Sequence, residues 1–156
     1  MSEVTITDRI RVEASARRVW DAIKDPREHA GWHPFVTQIN GEHDIDELRT
    51  CSVIVGRKSG TTKERCTEYR EQRAIRWAIQ EDTTGFSKIV SDWRAGFELE
   101  PVDGATGITA ESTFKPNNVL VRLMTPLLRR KFHQAQRAIL EGLRASLETD
   151  GSGTVT

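Results

Sequence analysis

The chain has 156 residues, 37% apolar and 29% charged, with Lys plus Arg and Asp plus Glu both numbering 23. That length suits one domain with its own core, and a formal charge of zero removes any global argument for a nucleic-acid or acidic partner. The opening Met-Ser-Glu-Val-Thr-Ile-Thr is not that of a signal peptide and no apolar run approaches the ~20 residues of a membrane span, so a cytoplasmic protein without stable membrane insertion is expected.

In residues 5–12, Ile6, Ile10 and Val12 alternate with Thr7, Arg9 and Arg11, the pattern of a half-buried strand whose inner row is broken by Asp8. Ser15 offers an N-cap for a short helix with Val19, Trp20 and Ile23 on its apolar stripe, ending by Asp25 because Pro26 follows. Asp25 caps a second helix with Pro26 at its first position, and Gly31 is expected to stop it. Trp32-His33-Pro34-Phe35 then forms a helix-to-strand corner. Residues 36–40, 50–55, 63–69, 74–81, 88–99 and 108–114 read as strands with short turns, an antiparallel meander and hence an α+β class. Cys51 and Cys66 would face each other across a hairpin centred on Lys58 and Ser59; two cysteines make no disulfide framework, and reduced thiols are expected.

Residues 119–148 form the long amphipathic segment of the chain. Leu128, Phe132, Ala135, Ile139, Gly142, Leu143 and Ser146 share one face, and Arg130, His133, Gln134, Arg137, Glu141, Arg144 and Glu148 the other. Pro126 either kinks the helix or marks its true start with Thr125 as cap. The stretch Leu120 to Leu128, flanked by Arg122, Arg129, Arg130 and Lys131, reads as a lid over a cavity, with a membrane-surface or partner-docking helix as the alternative. Residues 150–156, rich in Gly, Ser and Thr, form a tail expected to be disordered after a single domain spanning residues 1–149.

The inner strand rows predicted by alternation are Cys51, Val53 and Val55; Ile75, Trp77 and Ile79; Ile89, Ser91, Trp93, Ala95 and Phe97; and Ile108, Ala110, Ser112 and Phe114. A sheet this broad exceeds what one helix fills, so a subset is expected to line a pocket. Trp77 and Trp93 are its walls, with Trp32, Val53, Ala110, Phe132 and Ile139 beside them. Ser91 and Ser112 are its polar groups, unless they only bond backbone. Gly142, a helix-interior glycine on the dry face, leaves room either for the ligand or for close approach of a strand. His33 is the candidate catalytic residue, since an imidazole at a cavity mouth works as acid or base near neutral pH, unless it is only a surface corner residue. His133 is expected to be solvated. No Ser-His-Asp order, metal quartet or Gly-rich phosphate loop is present, so neither metal nor cofactor is expected.

Four phrases carry a resemblance. The run from Val12 to Ile23 followed by Asp25-Pro26 and Trp32-His33-Pro34, the segment Glu64 to Tyr69 leading to Arg76-Trp77, Phe97-Glu98-Leu99-Glu100-Pro101 with Asp103-Gly104 and Thr106 to Thr109, and the long helix occur in an order that resembles the polyketide cyclase/dehydratase-like group of the START-like (SRPBCC) superfamily. The resemblance implies a helix-grip fold: a curved antiparallel sheet of about seven strands around a long C-terminal helix, with two short helices after the first strand. It further implies a cavity for a small hydrophobic or aromatic molecule; separately, a monomer or homodimer is expected. Binding is the leading expectation, a cofactor-independent cyclase/dehydratase the first alternative, and a protein-interaction module the second.

Overall fold

The computed structural model describes residues 2–41 and 44–153, the last five by backbone alone. Strand β1 (Val4–Val12) leads to helices α1 (Ala16–Lys24) and α2 (Pro26–Trp32); β2 (Val36–Gly41), β3 (Leu48–Val55), β4 (Lys58–Arg70), β5 (Ala74–Asp82), β6 (Val90–Val102) and β7 (Ala105–Pro116) follow, then α3 (Val119–Leu123) and α4 (Thr125–Gly153). The seven strands form one antiparallel sheet in the order β1-β7-β6-β5-β4-β3-β2, gripped around α4 as the helix-grip expectation required.

The local signals act as their chemistry dictates. Ser15 Oγ accepts from the Arg18 amide at 3.1 Å and Asp25 Oδ1 from the Arg27 amide at 3.0 Å, so each short helix starts on a side-chain cap. Helix α2 runs one residue past Gly31 and ends at Trp32, because His33 precedes Pro34 and is held extended. The long segment breaks at Met124: Asn118 caps the short α3, and α4 begins at Thr125 with Pro126 in its first turn, where a missing N–H costs nothing. The helix continues to Gly153, past residue 150 where composition placed the start of the tail, and residues 154–156 lie outside the described residues.

The C-terminal half of α4 does most of the packing. Leu140, Leu143 and Leu147 enter a core with Trp20, Ile23, Ile75 and Ile108, each buried apolar side chain contributing about 1.5–3 kcal/mol. A second cluster joins Val4, Ile6, Val90 and Phe114 to Val121 and Leu128. Between the two, the N-terminal half of α4 stands over the sheet without filling the space beneath it.

Two strand details differ from simple alternation. In β6 the pairing slips between Ser91 and Arg94, with Asp92 at φ 52°, so one extra residue bulges out and the parity reverses. The β3–β4 turn sits at Gly56-Arg57, with Val55 facing Lys58, so Cys51 faces Thr62 and Cys66 faces Trp77. The two cysteines are not opposite each other, and both are free thiols.

Candidate functional site

The space between sheet and helix is a cavity of about 700 Å³. Eight of the residues expected at a site line it: His33, Val53, Trp77, Trp93, Ala110, Ser112, Phe132 and Ile139. Three do not. Trp32 is buried in the core with its indole Nε1 donating to the Ala22 carbonyl at 2.9 Å. Ser91 is exposed, because the bulge at Asp92 turns Val90 inward in its place. Gly142 faces the end of α2, where a Cβ would come within 2.7 Å of the Trp32 carbonyl oxygen; its missing side chain admits backbone rather than ligand.

One end of the cavity is aromatic. Phe86, supplied by a short 3-10 turn at Phe86–Lys88, packs edge-on against Trp93 at 4.9 Å between ring centres, and Phe132 reaches Phe86 at 5.2 Å and Phe114 at 5.0 Å. Leu128 closes this cluster from above.

The other end is polar, and its main residues were not anticipated. Arg49 on β3 and Glu64 on β4 are directly paired across the strands, with side chains 5% and 12% exposed. Arg49 donates through Nε (2.9 Å) and Nη2 (2.7 Å) to Glu64 Oε1, Thr62 Oγ1 donates to Glu64 Oε2 at 2.7 Å, and the Arg49 guanidinium lies 3.6 Å from the centre of the Trp77 ring. The carboxylate and the indole face together offset the desolvation of the cation. The sequence signal was there: Arg49 shares parity with Cys51 and Val53, and Glu64 with Cys66, but a strand started at residue 50 leaves Arg49 out.

His33 faces this polar end. Its Nδ1 accepts from the backbone N–H groups of Phe35 (3.1 Å) and Val36 (3.2 Å), so the ring proton sits on Nε2. Burial, reinforced by the Arg49 charge, lowers its pKa to about 3. The imidazole is therefore neutral at pH 7 and offers a hydrogen-bond donor, which corrects the expectation of an acid/base group titrating near neutrality. His29, buried behind it, stacks on the His33 ring with centres 5.4 Å apart and donates from Nδ1 to the Ile23 carbonyl at 2.8 Å.

A second buried polar group lies under α4. Asp8, which interrupts the inner row of β1, accepts from Gln136 Nε2 at 2.8 Å and from His133 Nδ1 at 2.8 Å, with Arg137 Nε at 3.3 Å. His133 is thus a partner of a buried carboxylate rather than a solvated residue. Gln136 Nε2 also donates to the Ile6 carbonyl, and because both neighbours on that side are acceptors, its Oε1 must turn to Ser112, whose hydroxyl donates at 2.7 Å. Ser112 bonds the helix, not backbone. Among the described residues no cluster of three or more His, Cys, Asp or Glu side chains could hold a metal ion, and no helix is long and apolar enough to cross a membrane.

Comparison with known proteins adds the lineage. A family model described as polyketide cyclase / dehydrase and lipid transport matches residues 3–148. No curated protein matches the sequence. Among solved structures, a START superfamily protein from Mycobacterium smegmatis aligns with a TM-score of 0.77 at 13% identity, covering 93% of this chain and 97% of that one. A major latex-like protein from Panax ginseng aligns at 0.76 and 8%, covering 92% and 97%. A Thalictrum norcoclaurine synthase, a point mutant in complex with a transition-state analogue, aligns at 0.72 and 13%, covering 96% and 97%. At such identities these structures share the fold.

Proposed function

Because the chain belongs to the polyketide cyclase/dehydrase and lipid transport family, we propose that it binds a small hydrophobic or aromatic molecule between the sheet and α4, as a cytoplasmic monomer or homodimer without a cofactor. The observation that carries this reading is the cavity of about 700 Å³, whose walls are aromatic at one end and hydrogen-bonding at the other. The ligand has an apolar body that lies against Trp93, Phe86 and Phe132, and an acceptor such as a carbonyl oxygen that meets His33 Nε2–H and the Arg49 guanidinium. Ser112, its proton committed to Gln136, presents only lone pairs and takes a donor if the ligand has one.

Titration with an anilinonaphthalene sulfonate tests the cavity. Tryptophan emission is expected to fall on binding, and Trp93→Phe to remove much of that quenching. A folded protein that takes up no such probe, and yields no copurified small molecule in native mass spectrometry, overturns the reading. The Arg49–Glu64 pair in the wall favours one second reading, cyclase/dehydrase chemistry, in which His33 and Arg49 polarise a carbonyl while Glu64 orients the guanidinium. Turnover lost in Glu64→Gln with probe binding retained would favour it over simple binding.

A further inference from the structure

The cavity mouth has two lips, and both expose apolar side chains. On the α3–α4 side, Val119, Leu120, Leu123, Met124 and Leu127 are 65%, 69%, 73%, 41% and 48% exposed; on the β3–β4 hairpin, Ile54 and Val55 are 46% and 56% exposed. Met124 and Leu127 from the first lip and Val55 and Lys58 from the second line the same cavity, so the two apolar sets border one opening. Solitary exposed leucines are ordinary on a protein surface, but seven large apolar side chains around one mouth mark an interaction surface.

Within these two segments the charge is one-sided. Residues 48–63 include Arg57 and Lys58 and no Asp or Glu, and residues 112–140 include Arg122, Arg130 and Lys131 and again no Asp or Glu, in a chain whose charges balance overall. All five of these cations are exposed, and none forms an ion pair among the described residues. The apolar side chains are Val, Leu, Ile and Met, without the Trp and Tyr anchors typical of protein hot spots. A second copy is a poor match as well, because a two-fold pairing would set the same cationic rim against itself.

We propose that this mouth docks on an anionic bilayer, with Leu120, Leu123 and their neighbours entering the boundary between headgroups and acyl chains while Arg57, Lys58, Arg122, Arg130 and Lys131 meet lipid phosphates. Docking brings the cavity opening to the membrane surface, from which an apolar ligand enters without crossing water. The proposal requires no particular occupant and stands apart from the binding reading.

Flotation of the full chain with vesicles tests it, using phosphatidylcholine alone and phosphatidylcholine with about a third phosphatidylglycerol, at low and high salt. The protein is expected to float with the anionic vesicles at low salt, to bind neutral ones at least about tenfold less, and to release at high salt. Arg122→Gln with Arg130→Gln should weaken binding by about fivefold per residue removed, and Leu120→Asp with Leu123→Asp by about tenfold or more, at an unchanged Tm. Failure of the wild type to float with anionic vesicles, or flotation indifferent to the leucine changes, overturns the proposal. So does a dimer in native mass spectrometry that Leu123→Asp dissociates, since the patch would then belong to a second copy. Neither leucine lines the cavity, so uptake of the naphthalene probe by the leucine variant reports on the cavity separately from docking.

Discussion

Replacing Gly142 puts the packing of the whole helix to the test. A Cβ added there would lie 2.7 Å from the Trp32 carbonyl oxygen and 3.5 Å from Pro34 Cδ, where ordinary contact begins at 3.4 Å. The nearer atom is backbone at the end of α2, so it cannot swing aside as a side-chain tip would. Gly142→Ala gains about 1 kcal/mol of helix propensity. Against that gain stands the separation of α4 from α2, an overpacking cost of about 1–3 kcal/mol. Gly142→Leu adds three more carbons to the same contact and gains no more propensity than alanine. It should therefore destabilise the protein by about 1–3 kcal/mol, a fall in Tm of about 2–4 °C per kcal/mol for a chain of this size. Denaturation in urea with tryptophan detection measures the change. Because α2 leads into His33, the leucine variant should also bind the naphthalene probe more weakly. A Tm that rises or stays level while probe binding disappears would refute this reasoning and return Gly142 to the cavity.

His33 gives a pH signature. Its folded pKa of about 3 lies below the ordinary 6.5, so between those values the unfolded chain holds a proton that the folded chain does not. Stability contributed by the neutral ring is fully present above pH 6.5 and falls as pH drops through the window, by about 1.4 kcal/mol per unit. Denaturation at pH 7.0 and 5.5 should show a loss in the wild type that shrinks markedly in His33→Gln, and equal losses in both would count against the assignment. The thiols should be present but inert. Burial, together with the Glu64 charge, pushes the Cys51 pKa up to about 12, and burial raises that of Cys66. A thiol reagent at pH 8 should label neither rapidly in the native protein and both after unfolding; a single fast native thiol would contradict this burial.

The architecture was legible because its causes are local. Alternation along six meander segments, Ser15 and Asp25 as caps, and prolines at positions 26, 34 and 126 each act within a few residues. What could not be read is what depends on register. The bulge at Asp92 costs one residue of parity and sends Ser91 outward, and nothing in the alternating run of Ile89, Ser91 and Trp93 announces it. Strand ends have a similar weight: a boundary drawn two residues late hid Arg49, and with it the charged pole of the cavity.

Asp8 shows where the limit lies. A carboxylate in an inner row is visible as a conflict, and burial demands that something opposite satisfy it. Which residue does so depends on the rotation of α4 about its axis, a tertiary quantity. That rotation is set where Gly142 lies against the Trp32 carbonyl and Leu143 enters the core, and it places Gln136 and His133 over Asp8. The glycine expected to make space for a ligand instead seats the helix. Through that seating the amide of Gln136 is aimed, Ser112 is made to donate, and the hydrogen-bonding character of one cavity wall is determined by a contact outside the cavity.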